Sequence, residues 1–320
     1  MTDGGGGIGD FLGQYRAISS KLKKRFLRNP NVKEASEQFG ALAKNLQSEG
    51  QPQYSGYCCL AVARCEQKLG NPCGEIAALV KGARLFLEAE KRNHSLRCPS
   101  FDEHLQAAIS CYNSAIKLHT ESGQGGPAAA LRLELGSALE ELDRPAEAAE
   151  QFAAASALLR HSPPLCRNAL GYLASCKIRL GDYDGALGVF NEMASLAKYG
   201  CMSEHSGPGV GSYRDMQCRC EVTRVLLLLV LQPTPQRLSP NLARVLEKYA
   251  WAGNEGDDSG AHQTVDFLSQ DLFLLLQSLV MACQSHDTDS LPTLEADLWP
   301  HLQSAEQRDL LRVLVSRMTQ

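Results

Sequence analysis

The chain has 320 residues, of which 44% are hydrophobic and 21% charged, and its formal net charge is −4. A chain of this length can bury a substantial core, either in two average domains or in one array of repeated units, while the small negative charge excludes a globally basic nucleic-acid-binding protein. Leucine and alanine dominate over valine, isoleucine and threonine, so the composition predicts a nearly all-α protein.

Residues 1–9 are rich in glycine, which predicts a disordered segment, and they lack the apolar stretch of a secretory signal. The twelve cysteines are therefore expected to be reduced thiols in the cytoplasm rather than a disulfide framework. Most of them, such as Cys58 and Cys59, fall on apolar helical stripes, where a thiol behaves as a small buried hydrophobe. The Cys218-x-Cys220 pair has no second pair of ligands nearby, so no structural zinc ion is expected.

Residues 10–28 form the first predicted helix, because their apolar side chains recur at spacings of three and four. These apolar residues are Phe11, Leu12, Tyr15, Ile18, Leu22 and Phe26. A cluster of basic residues falls on the opposite face of the helix, and its members are Lys21, Lys24, Arg25 and Arg28. Three roles for this basic face stay open: contact with solvent, contact with an acidic partner protein, or attraction to anionic lipid.

A series of further helices is predicted after this one. Asn29-Pro30 ends the first helix because proline cannot continue the hydrogen-bond ladder, and Asn31 predicts the N-cap of a helix that reaches about residue 50. Helices then follow at 54–69, 75–90, 102–121, 128–142, 146–159, 165–180 and 183–198. Their short connections predict antiparallel neighbours.

Three of these helices share an alanine, an aromatic residue four positions on, and a small or apolar residue three positions after that. The triplets are Ala108, Tyr112 and Ala115; Ala148, Phe152 and Ala155; and Ala186, Phe190 and Met193. The helices before the last two triplets carry small and apolar residues too, namely Leu135, Gly136, Leu139, Leu170, Leu173 and Ala174. Such positions allow close helix approach and fill the gap between neighbours. The pattern predicts an all-α, tetratricopeptide-like superhelix of antiparallel helix pairs, an α-solenoid.

The composition changes after this array of residues 10–198. Residues 199–212 hold glycine and proline without apolar periodicity, so we predict a flexible loop there and a C-terminal helical part over 213–320. Helices are predicted at 213–232, 241–251, 265–285 and 291–318, with an acidic loop at 253–264 and a bend at Trp299-Pro300. The apolar run at 225–233 is far shorter than the roughly twenty residues of a membrane span, so it predicts a buried helix and no transmembrane segment.

The sequence offers no recognisable catalytic constellation. Its eight histidines are scattered singly, with no His-Glu-x-x-His motif and no pair at metal-ligand spacing. No Gly-x-Ser-x-Gly elbow occurs either. A cysteine and a histidine could still meet in space, but we expect a non-enzymatic protein without catalytic residues, metal ligands or cofactors.

The two ends of the chain differ in charge. Residues 1–50 hold eight basic and five acidic residues, whereas residues 240–320 hold five basic and twelve acidic ones. Both tryptophans lie in the acidic end, and aromatic residues beside charges are common at interfaces. We therefore predict a surface for a basic partner, formed by Trp251, Asp257, Asp258, Glu295, Asp297 and Trp299. The alternative is an ordinary solubilising surface.

Seven irregular stretches between residues 20 and 282 carry a resemblance to a known family. They read SKLKKRFLRNPNV, LAVARC, ARLFL, DYDGALGVF, RCEVTRVLLLLVLQP, LEKYAW and LFLLLQSLVMA. In these stretches the chain resembles the huntingtin-associated proteins encoded within an intron of the coagulation factor VIII gene. The 199–212 segment is shorter than the proline-rich insertion of that family, so no role of the insertion is carried over.

The resemblance implies a helical scaffold that binds huntingtin, sits between its HEAT-repeat domains and stabilises it. It also implies an adaptor that links huntingtin to early endosomes through a Rab GTPase, in a protein of the cytoplasm with the early endosome and nucleus as further locations. The alternative is a vesicle or membrane-surface adaptor that acts without huntingtin, similar to the soluble attachment proteins of vesicle fusion.

Overall fold

The computed structural model describes residues 8–22, 31–201, 210–234, 236, 238–250 and 267–319. These residues form α-helices, turns and a short 3-10 helix, and none of them lies in a strand. The chain divides into two compact units, Met1–Arg144 and Pro145–Gln320. This boundary falls between two helices of the predicted 10–198 array rather than in the 199–212 segment. The predicted acidic loop lies outside the described residues.

The first unit is a series of helices that pack on their neighbours in sequence order. Its described helices are α1 (Ile8–Lys21), α2 (Val32–Ser48), α3 (Pro52–Lys68), α4 (Pro72–Ser95), α5 (Glu103–Glu121) and α6 (Gly125–Glu141). Short connections between α2, α3 and α4 make these helices antiparallel neighbours. The amide oxygen of Asn31 accepts a 3.2 Å hydrogen bond from the backbone N–H of Glu34, which confirms the predicted N-cap of α2.

The apolar stripe of α1 packs on the helices that follow it. Phe11 is buried in a cluster with Leu42 and Leu46 of α2 and Cys58 of α3. Leu12 is exposed, so the prediction that it belongs to the stripe was wrong. It lies one position after Phe11, which turns it by 100° away from the face that meets α2. The end of the predicted helix, residues 23–28, lies outside the described residues.

The second unit begins with the same serial packing and then becomes less regular. Its described elements are α7 (Pro145–Leu158), α8 (Pro163–Arg179), α9 (Tyr183–Cys201), α10 (Val210–Leu231), α11 (Pro240–Glu247), α12 (Gln270–Ser285), α13 (Leu291–Leu298), a 3-10 helix (Trp299–His301) and α14 (Ala305–Met318). Helix α10 contacts α9, α11, α12 and α14 and so forms the centre of this unit. Helices α9 and α10 extend into both ends of the predicted 199–212 loop.

The centre of α10 confirms the predicted buried helix. Six consecutive residues from Val225 to Val230 are buried, so this helix is covered on every side by its neighbours. Among the helices that the structure describes, none combines the length and the hydropathy that crossing a bilayer requires.

The three predicted triplets point into the core. Their aromatic members Tyr112, Phe152 and Phe190 are all fully buried, as are the alanines four positions before them. The same spacing occurs in two helices that the sequence reading missed: Ala35, Phe39 and Leu42 in α2, and Gly82, Phe86 and Ala89 in α4. The prediction of an all-α, tetratricopeptide-like fold of antiparallel helix pairs is confirmed.

Several predicted helix ends were wrong by a few residues. Pro52, Pro72 and Pro163 lie inside the first turn of their helices, because a proline needs no hydrogen-bond partner there and its φ suits a helix. The predicted helix at 291–318 is two helices, since the Trp299–His301 turn and an extended Leu302 separate α13 from α14. Ser304 then caps α14 with a reciprocal bond to Gln307.

Candidate partner-binding surfaces

The predicted basic face is described only at Lys21, because Lys24, Arg25 and Arg28 lie outside the described residues. The ammonium of Lys21 lies 3.4 Å from Oε1 of Glu34 and donates a 2.9 Å hydrogen bond to Gln38, both on α2. Lys21 therefore contacts the next helix of its own chain. Since both charged partners are about half exposed, this ion pair contributes about 1 kcal/mol or less to stability.

The predicted acidic surface is described at Glu295, Asp297 and Trp299, while Trp251, Asp257 and Asp258 lie outside the described residues. Asp297 is exposed and Glu295 half-buried on α13. The tryptophan packs against basic groups instead. The guanidinium carbons of Arg308 and Arg312 lie 5.5 Å and 4.5 Å from the centroid of the Trp299 ring.

Two cation–π contacts therefore hold the Trp299 ring against α14, each contributing about 0.5–1 kcal/mol at an exposed site. The structure brings together Glu295, Asp297 and Trp299 within one turn of chain, but the ring that was expected beside carboxylates lies beside arginines.

The loop between α4 and α5 carries the most exposed apolar side chains of the described chain. Phe101 is 88% exposed and Leu96 is 66% exposed. The sequence reading missed both residues. The exposure of Phe101 had one signal in the sequence. An apolar residue just before an N-cap commonly packs on an apolar fourth residue of the helix, and here the fourth residue is the polar Gln106.

The conformation of this loop is fixed by its backbone and by one ion pair. Arg97 and Asp102 both have positive φ, 51° and 60°. This backbone conformation costs a residue that has a Cβ about 1–2 kcal/mol. The carboxylate of Asp102 forms an ion pair with Arg144 at the end of the unit, and the backbone N–H of Cys98 donates a 2.9 Å hydrogen bond to the carbonyl of Asn93. Strained, anchored loops of this kind are common where a protein binds something.

A cavity of about 440 Å³ lies between α4, α5 and α6 of the first unit. At its wall, the guanidinium of Arg84 donates two hydrogen bonds, of 2.6 Å and 2.9 Å, to the carboxylate of Glu134. The hydroxyl of Tyr112 donates a third, of 2.9 Å. These donors, Arg84 first, hold the pKa of Glu134 below its ordinary value, while burial raises the pKa of Tyr112.

Most of the charges of this cavity are therefore engaged with one another. Lys91 likewise forms an ion pair with Glu141 on the opposite helix. A carboxylate with a lowered pKa and three donors is a poor general base, because the charged form is already stabilised. The cluster therefore links α4, α5 and α6 by hydrogen bonds and has a structural role.

The buried cysteines are equally unsuited to chemistry. Burial raises the pKa of the Cys58 thiol to about 12 and those of Cys111 and Cys220 to about 11, so these groups stay protonated at neutral pH. Over the described ranges, no three side chains of histidine, cysteine, aspartate or glutamate meet in a group that could hold a metal ion.

Comparisons with known proteins assign the chain to a family. The model of the family described as soluble NSF attachment protein, SNAP, matches residues 18–199. The 40-kDa huntingtin-associated proteins of Mus musculus and Rattus norvegicus are 42% and 41% identical to this chain, over 97% of this chain and 93% of theirs.

A solved structure, that of BtubC from P. vanneervenii, is 14% identical over 74% of this chain and 89% of that chain, with a TM-score of 0.37. A score of this size adds nothing to the fold assignment, which rests on the helices described above and on the family match. The family match spans α2 to α8 in full, and the identity to the mouse and rat proteins extends over both units. The chain belongs to the family of the 40-kDa huntingtin-associated proteins, which shares the helical repeats of the soluble NSF attachment proteins.

Proposed function

We propose that this protein is a non-enzymatic scaffold that binds huntingtin, sits between its HEAT-repeat domains and stabilises it. One observation carries the proposal: the chain is 42% identical over 97% of its length to a protein named for its association with huntingtin. The match extends over nearly the whole chain, so the proposal concerns both units and not one of them.

The α4–α5 loop supports a docking role within this proposal. The side chains of Phe101 and Leu96 are exposed to solvent on a loop of fixed backbone conformation. Binding a partner therefore does not carry the entropic cost of ordering this loop. Burying a phenylalanine side chain in an apolar groove contributes about 1.5–3 kcal/mol. We propose that Phe101 docks in an apolar groove between helices of the HEAT array.

The charged ends of the chain support a second contact. The residues proposed for a basic segment of huntingtin are Trp251, Asp257, Asp258, Glu295, Asp297 and Trp299. Complementary charge of this kind accelerates encounter and selects the partner more than it adds affinity. The basic residues Lys21, Lys24, Arg25 and Arg28 would correspondingly face an acidic protein surface.

Co-purification with huntingtin tests the electrostatic contact. We expect reversal of Asp257, Asp258, Glu295 and Asp297 to lysine to reduce the recovered complex at moderate salt. Four exposed acidic residues of the first unit, Glu37, Glu49, Glu88 and Glu121, provide a control with the same change of charge. Equal recovery of both variants and the wild type would discard the acidic surface.

The adaptor role is the finer part of the proposal. We infer that the bound complex links to early endosomes through a Rab GTPase, and that the protein works in the cytoplasm, at early endosomes and in the nucleus. The match to the soluble NSF attachment protein family supports an association with vesicles. Recovery of a Rab GTPase only when huntingtin is present would support the link.

A vesicle adaptor that acts without huntingtin is the second candidate, and the same family match over residues 18–199 favours it. Liposome flotation separates the two functions. If the purified chain floats with anionic liposomes, and substitution of Lys21, Lys24, Arg25 and Arg28 by glutamine abolishes flotation, the second candidate replaces the first. Absence of the chain from the floated fraction supports the scaffold.

A further inference from the structure

The second unit contains a cavity whose charge differs from that of the first unit. It has a volume of about 520 Å³ and lies between α9, α10 and α11. Three cationic side chains line it, Arg224, Arg244 and Lys248, and no carboxylate does so among the described residues. The cavity of the first unit, by contrast, is lined by two cations and three carboxylates. The cavity in the second unit is therefore the one suited to an anionic ligand.

One buried carboxylate sets the position of two of the cations. Glu221 is only 5% exposed, and it accepts a 3.1 Å hydrogen bond from Arg224 and a 2.8 Å bond from Lys248. This glutamate neutralises one positive charge, so three cations against one carboxylate leave the site with a net charge of about +2. Arg244, on the exposed face of α11, forms no ion pair with any described residue.

The donors that face the cavity are oriented before any ligand arrives. The Nε of Arg224 donates a 2.8 Å hydrogen bond to the amide oxygen of Asn191 on α9, which leaves the NH₂ of that amide to donate elsewhere. Arg224 donates one N–H to Asn191 and another to Glu221, so its guanidinium keeps further N–H groups unused. A fixed guanidinium with spare donors is well suited to a carboxylate, because planar bidentate pairs match in geometry.

The remaining lining determines the size of the ligand. Ala194, Leu242 and Val245 give the cavity apolar lining, and Ser195, Ser239 and Asn241 add polar groups. The volume lies within the range of sites that bind a ligand of several residues or a drug-sized molecule, far above that of a simple inorganic anion. The backbone and aliphatic stems of a peptide can contact the apolar lining while its acidic ends reach the cations.

We propose that this cavity binds an acidic peptide segment of a partner protein, with two closely spaced carboxylates paired to Arg224, Lys248 and Arg244. The net charge of the whole chain is −4, so the chain as a whole repels an acidic ligand at long range. Only the local arrangement of cations in the cavity favours its binding. The proposal goes beyond the proposed function, since it requires neither huntingtin nor a vesicle.

Fluorescence anisotropy of the full chain with a labelled short peptide of alternating glutamate and serine tests this site. The Arg244→Glu variant should lower the affinity about tenfold or more, because it replaces an attraction by a repulsion within the site. The Arg244→Gln variant should give an intermediate value. Neither substitution disturbs a described ion pair, so both variants should keep the wild-type circular dichroism.

Two controls make the result specific. Arg160→Glu makes the same change of charge at an exposed residue of the second unit outside the cavity, and it should leave the affinity within about twofold, since exposed charges at a distance are screened. A peptide of alternating glutamine and serine should not bind. Equal effects of Arg244→Glu and Arg160→Glu, or equal binding of the glutamine peptide, would overturn the proposal.

Discussion

The hydroxyl of Tyr112 donates a 2.9 Å hydrogen bond to Oε1 of Glu134, the carboxylate that also receives two N–H bonds from Arg84. Tyr112 belongs to one of the repeat triplets, and the three residues come from α5, α6 and α4. A residue that fills the gap between helices thus also fixes their relative position through its polar end.

Replacement of Tyr112 by phenylalanine should lower the free energy of unfolding by about 0.5–1.5 kcal/mol, since the packing stays and Glu134 keeps both bonds from Arg84. Replacement by alanine should lower it by about 3–5 kcal/mol because a cavity remains. Urea unfolding followed by circular dichroism measures both values. Equal losses in the two variants would show that the hydroxyl, rather than the ring, carries the contribution.

The lowered pKa of Glu134 makes part of the stability dependent on pH. The bonds from Arg84 stabilise the carboxylate in the folded state, so this contribution is present above the unfolded pKa of about 4.5 and is lost as the pH falls through the lower, folded value. Glu134→Gln should therefore be less stable at pH 7, by about 1 kcal/mol or less because the pair is partly exposed. The difference from wild type should shrink on acidification, and a constant difference between pH 7 and pH 3 would contradict this account.

Close approach of α3 and α4 depends on a glycine. A Cβ on Gly56 would lie 2.9 Å from two ring atoms of Phe86, which is fully buried and cannot move away. Gly56→Ala should lower the thermal stability, with a loss of about 1–3 kcal/mol. Gly40→Ala in α2 is the matched control, because a Cβ there meets nothing within 4 Å, and it should be neutral or stabilising by about 0.4–1 kcal/mol. A Gly56→Ala variant as stable as the control would contradict the predicted clash.

The cysteines should differ widely in reactivity. Cys73 and Cys98 are exposed, whereas nine further cysteines whose side-chain burial the structure describes are buried. Burial raises the pKa of Cys58 to about 12, so little thiolate is present at pH 8. A short pulse of iodoacetamide on the native chain, read by peptide mass spectrometry, should label Cys73 and Cys98 well before Cys58. Similar rates for Cys58 and Cys98 would be inconsistent with the described burial.

The sequence was sufficient to predict the helices because burial sets their spacing. Ala148, Phe152 and Ala155 stand three and four positions apart, and all three are fully buried. Helix starts were predicted too late where prolines were treated as loop residues. Of the two additional triplets, the one in α4 departs from the pattern because Gly82 stands in place of the alanine, whereas Ala35, Phe39 and Leu42 match the pattern and were predictable from the sequence.

The surfaces were harder to predict because distant residues determine them. The apolar side chain of Phe101 predicts burial. Its exposure follows instead from the backbone conformations of Arg97 and Asp102 and from the ion pair between Asp102 and Arg144, which lies 42 residues further along the chain. Trp299 was predicted from neighbours in sequence to lie among carboxylates, whereas the arginines of the next helix lie against its ring. Cations from α10 and α11 likewise meet only in the folded unit.

Size-exclusion chromatography of the full chain mixed with huntingtin tests the scaffold function most directly. Two single substitutions of exposed apolar residues, Phe101→Ser and Leu165→Ser, have the same chemistry at different places on the chain. We expect the wild type and Leu165→Ser to co-elute with huntingtin, and Phe101→Ser to elute largely apart because it loses the apolar burial that docking supplies. Elution of the wild-type chain separately from huntingtin would contradict the scaffold function.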